Sequence, residues 1–310
     1  MTVHPSEQVM PSAKKPASLT VALLTGLRPL DWIKNLFVLA PLLFSGHLFT
    51  SELVSKSLLG FILFCILSSG AYLFNDVMDR EDDRHHPAKA LRPIASGQLP
   101  THLVSVIAFG LILVGLIGAF ALDLRFGLIA SVFSLLHLAY SLGLKDWVIV
   151  DVLLIAAGFV LRVLGGSAIV DVIPSAWIIL CTMLLSLFLG FSKRRHELVL
   201  LGERANAHRK VLQQYSVTFL DQMIGAVLAA TVVSYALYTI NNGPLQIYSV
   251  FFVLYGMFRY LYLIHHREHG GRAAESFLTD PFWPPWWAGP CSCYGISTGG
   301  YSLDLFRRLF

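Results

Sequence analysis

The stretch "FNDVMDREDDRHHPAKALRPIASG", residues 74–97, closes a long apolar run with a dense cluster of charge. Five acidic side chains lie within ten residues of Asn75, and four basic side chains follow before residue 93. Asn75, Asp79 and Asp83 are spaced four residues apart, so they share one face of a continuing helix. Asp76 lies beside Asn75 in the same turn. We therefore expect the functional site of the protein to lie at the end of this helix.

The composition around this stretch is typical of a membrane protein. Of the 310 residues, 55% are hydrophobic and 14% are charged, which is less charge than a soluble domain carries. Apolar stretches of about 20 residues recur, and they predict an all-α, polytopic membrane bundle. Eight transmembrane helices are predicted, over residues 28–48, 56–79, 103–122, 126–142, 147–169, 175–191, 220–240 and 247–265.

Charge between the helices predicts how the bundle is oriented. The loops after the second, fourth and sixth helices are rich in Lys and Arg, whereas the loops after the odd-numbered helices have almost none. The positive-inside rule therefore places the charged loops and the N-terminus in the cytoplasm. We expect a multi-pass protein of the plasma (inner) membrane with its active site facing the cytoplasm. The net charge of +4 follows from these loops and does not indicate a nucleic-acid partner.

Three regions are predicted along the chain. Residues 1–17 are polar and are interpreted as a disordered cytoplasmic tail, and residues 18–280 form the transmembrane catalytic domain. Residues 281–310 contain four Pro and four Gly and no stretch long enough to cross a membrane. This segment is either a Trp-anchored interfacial tail or an altered C-terminus, for example after a change of reading frame.

Oxygen ligands on the acidic helix face indicate a metal site. Mg²⁺ commonly binds through one or two carboxylates together with substrate phosphates. Arg84, Lys89 and Arg92 follow the carboxylates, which favours a phosphate held by both the metal and these cations. His85 and His86 are interpreted as loop residues or as hydrogen-bond donors to a phosphate, with direct metal ligation as the less favoured alternative. The alternative for the whole stretch is a solvated, charged helix end.

Polar residues also occur at predicted membrane depth, where they are functional candidates. Asp151, Gly158 and Arg162 lie on one face of the fifth helix, with Tyr140 and Lys145 just before it. The alternative for Asp151 and Arg162 is a structural ion pair. Further candidates lie at the ends of two other helices. The first helix begins with Arg28, Lys34 and Asn35, and the sixth is followed by Lys193, Arg194 and Arg195. The alternatives there are an interfacial anchor and a positive-inside run.

Together these motifs resemble the UbiA superfamily of intramembrane prenyltransferases. "NDVMDREDD" is similar to its NDxxDxxxD signature. "RPLDWIKN", "YSLGLK", "VDVLLIAAGFVLRVLGG" and "GFSKRRHEL" add a resemblance to the decaprenyl-phosphate phosphoribosyltransferase family, from about residue 25 to residue 280. The resemblance implies nine helices around a central cavity that is open to the cytoplasm. The ninth would begin where the pattern is lost.

One departure from the wider superfamily bears on the donor. Typical members have a second aspartate-rich motif after the sixth helix, and here that place holds "SKRRHE". A basic cluster cannot bind a second metal, but it suits a second phosphate, either the 5-phosphate of phosphoribosyl pyrophosphate or the phosphate of the lipid. The sequence therefore favours a donor with an additional phosphate over a prenyl diphosphate.

The resemblance implies a Mg²⁺-dependent transfer of 5-phosphoribosyl from phosphoribosyl pyrophosphate to a polyprenyl (decaprenyl) phosphate, for cell-wall arabinan precursors. Its implied metal ligands are Asn75, Asp76, Asp79 and Asp83, of which the three aspartates are also catalytic. Its implied substrate-binding residues are Arg28, Lys34, Asn35, Lys89, Arg92, Tyr140, Lys145, Asp151, Arg162, Lys193, Arg194 and Arg195. A homo-oligomer is left open. The alternatives are prenylation of an aromatic acid and a lipid-phosphate transporter or scaffold without chemistry.

Overall fold

The computed structural model describes residues 18–84, 89–201, 210–242 and 246–266. The secondary structure of these residues is helical. The α-helices are α1 Leu19–Leu27, α2 Ala40–Phe44, α3 Ser51–Met78, α4 Arg80–Arg84, α5 Thr101–Leu122, α6 Leu124–Leu142, α7 Val150–Val170, α8 Ala176–Leu201, α9 Val217–Asn242 and α10 Ser249–His266. The 3-10 helices are Pro29–Leu39, Lys89–Leu91, Leu144–Asp146, Lys210–Gln214 and Gln246–Tyr248.

Seven of these helices, α3 and α5 to α10, are long and apolar enough to cross a membrane, within the residues that the structure describes. They confirm the all-α membrane bundle and correspond to the second to eighth predicted helices. The predicted first helix, residues 28–48, differs. It is divided into the 3-10 helix Pro29–Leu39 and the short α2, so the predicted count of eight is not confirmed.

The 3-10 helix Pro29–Leu39 is unusually long, since such helices rarely exceed three or four residues. With three residues per turn, Trp32, Asn35 and Val38 lie on one face. Trp32 Nε1 donates to Ser69 Oγ at 3.0 Å, and Asn35 is fully buried beside α3. Val38 packs so closely on α7 that a Cβ added at Gly166 would overlap the Val38 carbonyl. This face fixes the 3-10 helix against α3 and α7.

Two apolar cores lie side by side, and α7 contributes to both. In the first, Phe64 of α3 meets Phe126 and Phe133 of α6 edge to face, with ring centroids 5.6 and 4.9 Å apart. Ile169, near the end of α7, packs into this core. Val152, near the start of α7, packs into the second core, between α8, α9 and α10. The two ends of α7 therefore have different surroundings.

Candidate active site

The acidic stretch lies where α3 ends. α3 ends at Met78 and α4 begins at Arg80, so the two helices meet at Asp79. The Asp79 N–H donates to the Asn75 carbonyl at 2.8 Å, and the Asp83 N–H donates to the Asp79 carbonyl at 2.8 Å. These bonds carry the helical spacing across the junction. Asn75, Asp79 and Asp83 therefore keep the four-residue spacing expected from the sequence.

Two of the carboxylates are buried and share one arginine. The side chains of Asp76 and Asp83 are each 4% exposed. Arg92 Nη1 donates to Asp76 Oδ1 at 2.9 Å and to Asp83 Oδ2 at 2.6 Å. Arg28 Nη2 donates to Asp76 Oδ1 at 2.5 Å, and Lys89 Nζ lies 4.0 Å from Asp83 Oδ1. The cations expected to bind phosphate thus lie directly against the carboxylates expected to bind metal.

Asp79 has a different set of partners. Lys145 Nζ forms an ion pair with Asp79 Oδ1. Asn75 Nδ2 donates to Asp79 Oδ2 at 2.8 Å, and Asn75 Oδ1 accepts a hydrogen bond from Ser141 Oγ at 3.1 Å. Ser141 lies in the last turn of α6, and Lys145 in the 3-10 turn that follows. The end of α6 therefore completes the site, and Ser141 is a member that the sequence did not reveal.

The ion pairs do not fully offset the cost of gathering these carboxylates. Burial raises the pKa of Asp83, Arg92 and Lys89 act in the opposite direction, and Asp76 and Asp79 raise it again. The net shift is upward, so the charged form of Asp83 is disfavoured despite its two cationic neighbours. An additional positive charge at this position would be favourable.

The donor atoms fit a hard divalent cation in kind. Three carboxylates and one amide oxygen lie on adjoining turns, and Mg²⁺ prefers such oxygen ligands. Their present orientation is toward Arg and Lys side chains. Among the residues that the structure describes, no three His, Cys, Asp or Glu side chains converge as a ready-made metal site. Metal binding therefore requires the carboxylates to exchange cationic side chains for the ion.

The 3-10 helix Pro29–Leu39 adds further charge beside this cluster. Lys34 Nζ lies 2.6 Å from Asp31 Oδ1 and 6.0 Å from the centroid of the Tyr72 ring. Burial alone would raise the pKa of Asp31, but Lys34, Arg28 and Lys193 lower it overall. Lys193 is the last of these three cations in influence, and it brings the end of α8 into electrostatic range of the 3-10 helix.

Arg162 is a buried cation deeper in the bundle. Its Nε donates to Asn35 Oδ1 at 2.7 Å and its Nη1 to the Gly158 carbonyl at 2.9 Å. The guanidinium carbon lies 4.7 Å from the Phe133 ring centroid and 5.2 Å from that of Phe159. No carboxylate among the described residues lies within 4.0 Å of it. A hydrogen bond therefore connects Asn35 and Arg162, which are both predicted site residues. Within the described residues, no carboxylate contacts the Arg162 guanidinium.

Asp151 and Arg194 belong to a second buried network, so Asp151 does not pair with Arg162. Arg194 Nε donates to Asp151 Oδ2 at 2.6 Å, and its Nη1 donates to Glu197 Oε2 at 2.6 Å. Arg194 Nη2 lies 3.2 Å from the hydroxyl of Tyr140. Tyr215, which the sequence did not indicate, donates to Asp151 Oδ1 at 2.8 Å. The alternative interpretation of Asp151 as part of a structural ion pair agrees with this geometry.

The three consecutive basic residues of α8 have three different environments. Arg194 is 1% exposed, whereas Lys193 is exposed. Arg195 Nε pairs with Asp221 Oδ1 of α9, and His265 Nε2 lies 3.4 Å from the same oxygen. Of the three, Lys193 is the one that the geometry leaves accessible to a ligand.

Some predicted features lie outside the described residues. They are His85, His86, the tail 1–17, residues 267–280 of the predicted domain and the segment 281–310. Arg84 is described, and it bonds to Glu81 and to the Ala95 carbonyl.

Comparison with known proteins is consistent across sequence and structure. Residues 36–280 match the UbiA prenyltransferase family. The chain is 34% identical over 244 residues to the decaprenyl-phosphate phosphoribosyltransferase of Mycolicibacterium smegmatis, covering 77% of this chain and 76% of the relative. It is also 34% identical over 241 residues to the protein of that name from Mycobacterium tuberculosis, covering 76% and 79% respectively.

Among solved structures, the fold is similar to that of a UbiA homolog from Archaeoglobus fulgidus bound to GPP and Mg²⁺. The TM-score is 0.69, and the match covers 89% of this chain and 98% of that chain. The sequences are 17% identical, so this likeness concerns the fold.

Proposed function

The chain belongs to the UbiA prenyltransferase family, and we propose that this membrane transferase moves a 5-phosphoribosyl group from phosphoribosyl pyrophosphate to a polyprenyl phosphate. The observation that carries the proposal is the interleaving of carboxylates and cations at the end of α3. Asp76 and Asp83 share Arg92, and Asp79 pairs with Lys145. Such a mixed site suits a ligand that brings a metal ion and phosphates together.

The end of α8 supports a donor with an additional phosphate. A prenyl diphosphate would be served by a second carboxylate cluster there, but the place holds Lys193, Arg194 and Arg195. Lys193 is exposed and is one of the cations that lower the pKa of Asp31, so we assign it to the 5-phosphate of the donor. The mycobacterial relatives are named phosphoribosyltransferases, which supports a phosphoribosyl donor.

We propose Mg²⁺ as the cation, with Asn75, Asp76, Asp79 and Asp83 as its protein ligands. When bound, Mg²⁺ supplies positive charge that offsets the charge of the leaving pyrophosphate. The A. fulgidus homolog is bound to Mg²⁺, which supports a divalent ion in this family.

The cations of the site would orient the donor. Lys89 and Arg92, which now contact Asp83, would turn toward the pyrophosphate, with Lys145 on its other side beside Asp79. Arg28 would balance Asp76. Charges arranged in advance stabilise a developing negative charge with little reorganisation. In this assignment Tyr140, Asp151 and Arg194 support the site and do not touch the donor.

The acceptor phosphate would approach from the side of Lys34 and Arg162. Asn35, which bonds to Arg162, lies on the same side. One of its anionic oxygens forms a bond to C1 of the ribose, while the bond from C1 to the pyrophosphate oxygen breaks. The electron pair leaves with pyrophosphate. The acceptor is already anionic, so no general base is required. The apolar space between the helices would hold the polyprenyl chain.

The charged loops favour a site that faces the cytoplasm, where a phosphorylated sugar diphosphate is accessible, and we propose the plasma membrane as its location. The product would be a lipid-linked phosphopentose, the kind of compound from which a cell-wall arabinan precursor is made.

Incubation of membranes containing the protein with labelled phosphoribosyl pyrophosphate, polyprenyl phosphate and Mg²⁺ tests the proposal. Label in the lipid fraction is expected, and chelation of Mg²⁺ should abolish it. A parallel reaction contains a prenyl diphosphate and 4-hydroxybenzoate. Product in that reaction alone would overturn the proposal in favour of aromatic prenylation.

A further inference from the structure

Ile149 has a backbone conformation that a β-branched residue rarely adopts. Its φ is 69° and its ψ is −42°, near the values of a classic γ-turn, which is rare and strained. Ile149 is 39% exposed, so burial of its side chain does not account for this conformation. Strained residues of this kind persist where other contacts fix them, and they are concentrated at functional sites.

The Tyr215 hydroxyl holds the N–H of Ile149, whose carbonyl accepts hydrogen bonds from the N–H groups of Val152 and Leu153. The Ile149 N–H donates to the Tyr215 hydroxyl at 2.7 Å, and that hydroxyl donates to Asp151 Oδ1 at 2.8 Å. Burial raises the pKa of Tyr215, so the hydroxyl stays protonated and remains a donor at neutral pH. Tyr215 is 5% exposed and lies just before α9, 66 residues away along the chain. The hydroxyl therefore accepts one hydrogen bond and donates another, and both partners lie at the start of α7.

The strained residue lies between two parts of the site. Lys145, which pairs with Asp79, is in the 3-10 turn just before Ile149. Asp151, just after Ile149, pairs with Arg194, the neighbour of Lys193 on α8. A change in the backbone at Ile149 would therefore move the Lys145 turn relative to α7 and α8.

Apolar packing also joins the two segments at this point, since Tyr215 lies in the core cluster against which Val148 packs. An open surface depression of about 470 Å³ is lined by Asp146, Trp147, Val148 and Gln214, the last of which directly precedes Tyr215. The hydroxyl adds a hydrogen bond to this packing, and Tyr215→Phe removes that hydrogen bond while the ring stays.

We propose that Tyr215 is a positioning residue: its hydroxyl holds the strained backbone at Ile149, so that Lys145 faces Asp79 and the donor phosphates. This inference rests on the proposed function. Tyr215 itself touches neither substrate.

The test compares two variants that each lose one tyrosine hydroxyl. Tyr215→Phe removes the contact to Ile149, whereas the control Tyr235→Phe removes a 2.9 Å hydrogen bond to Ser249 away from the site. Tyr215→Phe is expected to raise the KM for phosphoribosyl pyrophosphate about tenfold, which corresponds to about 1.4 kcal/mol. The KM for the lipid acceptor and the kinetics of the control should change less than about twofold. An unchanged donor KM would overturn the proposal.

A rescue experiment separates positioning from a general loss of packing. Glycine adopts positive φ without strain, so Ile149→Gly should keep the turn in place when the hydroxyl is missing. In the double variant Tyr215→Phe/Ile149→Gly, the donor KM is expected to return at least halfway, on a logarithmic scale, to the wild-type value. A KM as high as in Tyr215→Phe, or higher, would mean that Tyr215 acts through packing or through Asp151, and the proposal would fail.

Amide hydrogen exchange tests the contact without any substrate. Exchange at residues 147–152 should accelerate in Tyr215→Phe and stay unchanged in Tyr235→Phe. If the wild type makes no labelled lipid, the proposed function fails, and this measurement still decides whether Tyr215 holds the turn. Equal exchange in all three proteins would overturn the positioning role.

Discussion

Replacement of Arg194 by methionine should destabilise the protein strongly. The arginine is 1% exposed and bonds to Asp151, which is fully buried, and to Glu197. Methionine fills a similar volume but leaves these carboxylates without their cation. Removing one partner of a buried ion pair costs about 3–5 kcal/mol. At about 2 °C per kcal/mol, the apparent Tm should fall by about 6–10 °C.

The assay is thermal unfolding of the purified protein in detergent or nanodiscs, at one scan rate for all variants because unfolding of such proteins is commonly irreversible. Arg195→Met is the matched control. Arg195 is 13% exposed and its partner Asp221 is 38% exposed, so the carboxylate left behind can be hydrated, and such pairs contribute about 1 kcal/mol or less. The Tm of the control should therefore fall by no more than about 2 °C.

A second variant tests the physical cause. In Asp151→Asn/Arg194→Met the buried charge that lost its partner is neutralised, so part of the lost Tm should return. The reasoning is refuted if Arg194→Met keeps the wild-type Tm while the KM for phosphoribosyl pyrophosphate rises about tenfold. That outcome would make Arg194 a substrate ligand, as the sequence alone suggested.

Three further changes test the site and the fold. Asp79→Asn should abolish Mg²⁺-dependent transfer without unfolding the protein, measured as labelled lipid and by Tm; retained transfer would contradict the metal role. Arg92→Gln should raise the donor KM about tenfold, since one guanidinium serves two carboxylates and would bind phosphate; an unchanged KM would remove it from the donor site. Gly166→Ala should destabilise the protein by about 1–3 kcal/mol because its Cβ would overlap the Val38 carbonyl. Gly110→Ala, where a Cβ meets open space, is the control, and equal Tm values would contradict the close packing.

The local part of the site could be predicted from the sequence. The four-residue spacing of Asn75, Asp79 and Asp83 depends on helical geometry alone, and it holds across the junction of α3 and α4. The pairing of Asp76 with Arg28 could not be predicted, since these residues are 48 positions apart and meet through the packing of α1 on α3.

Neighbouring residues on α8 show more clearly what could not be predicted from the sequence. Successive residues on a helix point about 100° apart, so Lys193, Arg194 and Arg195 must face three directions. The sequence contains this fact but not which direction is inward. That depends on the rotation of α8 against α7, which brings Arg194 to Asp151. Asp151 and Arg162 share a helix face in the sequence, but they lie 11 residues apart, about 16 Å along the axis, so they belong to different networks.

The first predicted helix was wrong in form because hydropathy does not distinguish an α-helix from a 3-10 helix. Pro29 and Pro41 both lie in the predicted span, and each removes a backbone donor. The structure resolves this stretch into a 3-10 helix followed by the short α2, and the three-residue period brings Asn35 to Arg162.

The shared arginine has a consequence for the order in which ligands are taken up by the proposed enzyme. A metal ion arriving alone must displace Arg92 from two carboxylates, and a phosphate arriving alone must draw the same arginine away from them. Either ligand binding alone therefore breaks the ion pairs of Arg92 at a cost in free energy. The other ligand would offset that cost by taking the place of the lost partner. Binding of donor and metal should be synergistic, with the preassembled complex preferred over either alone, and the site should bind free phosphates and free divalent ions weakly.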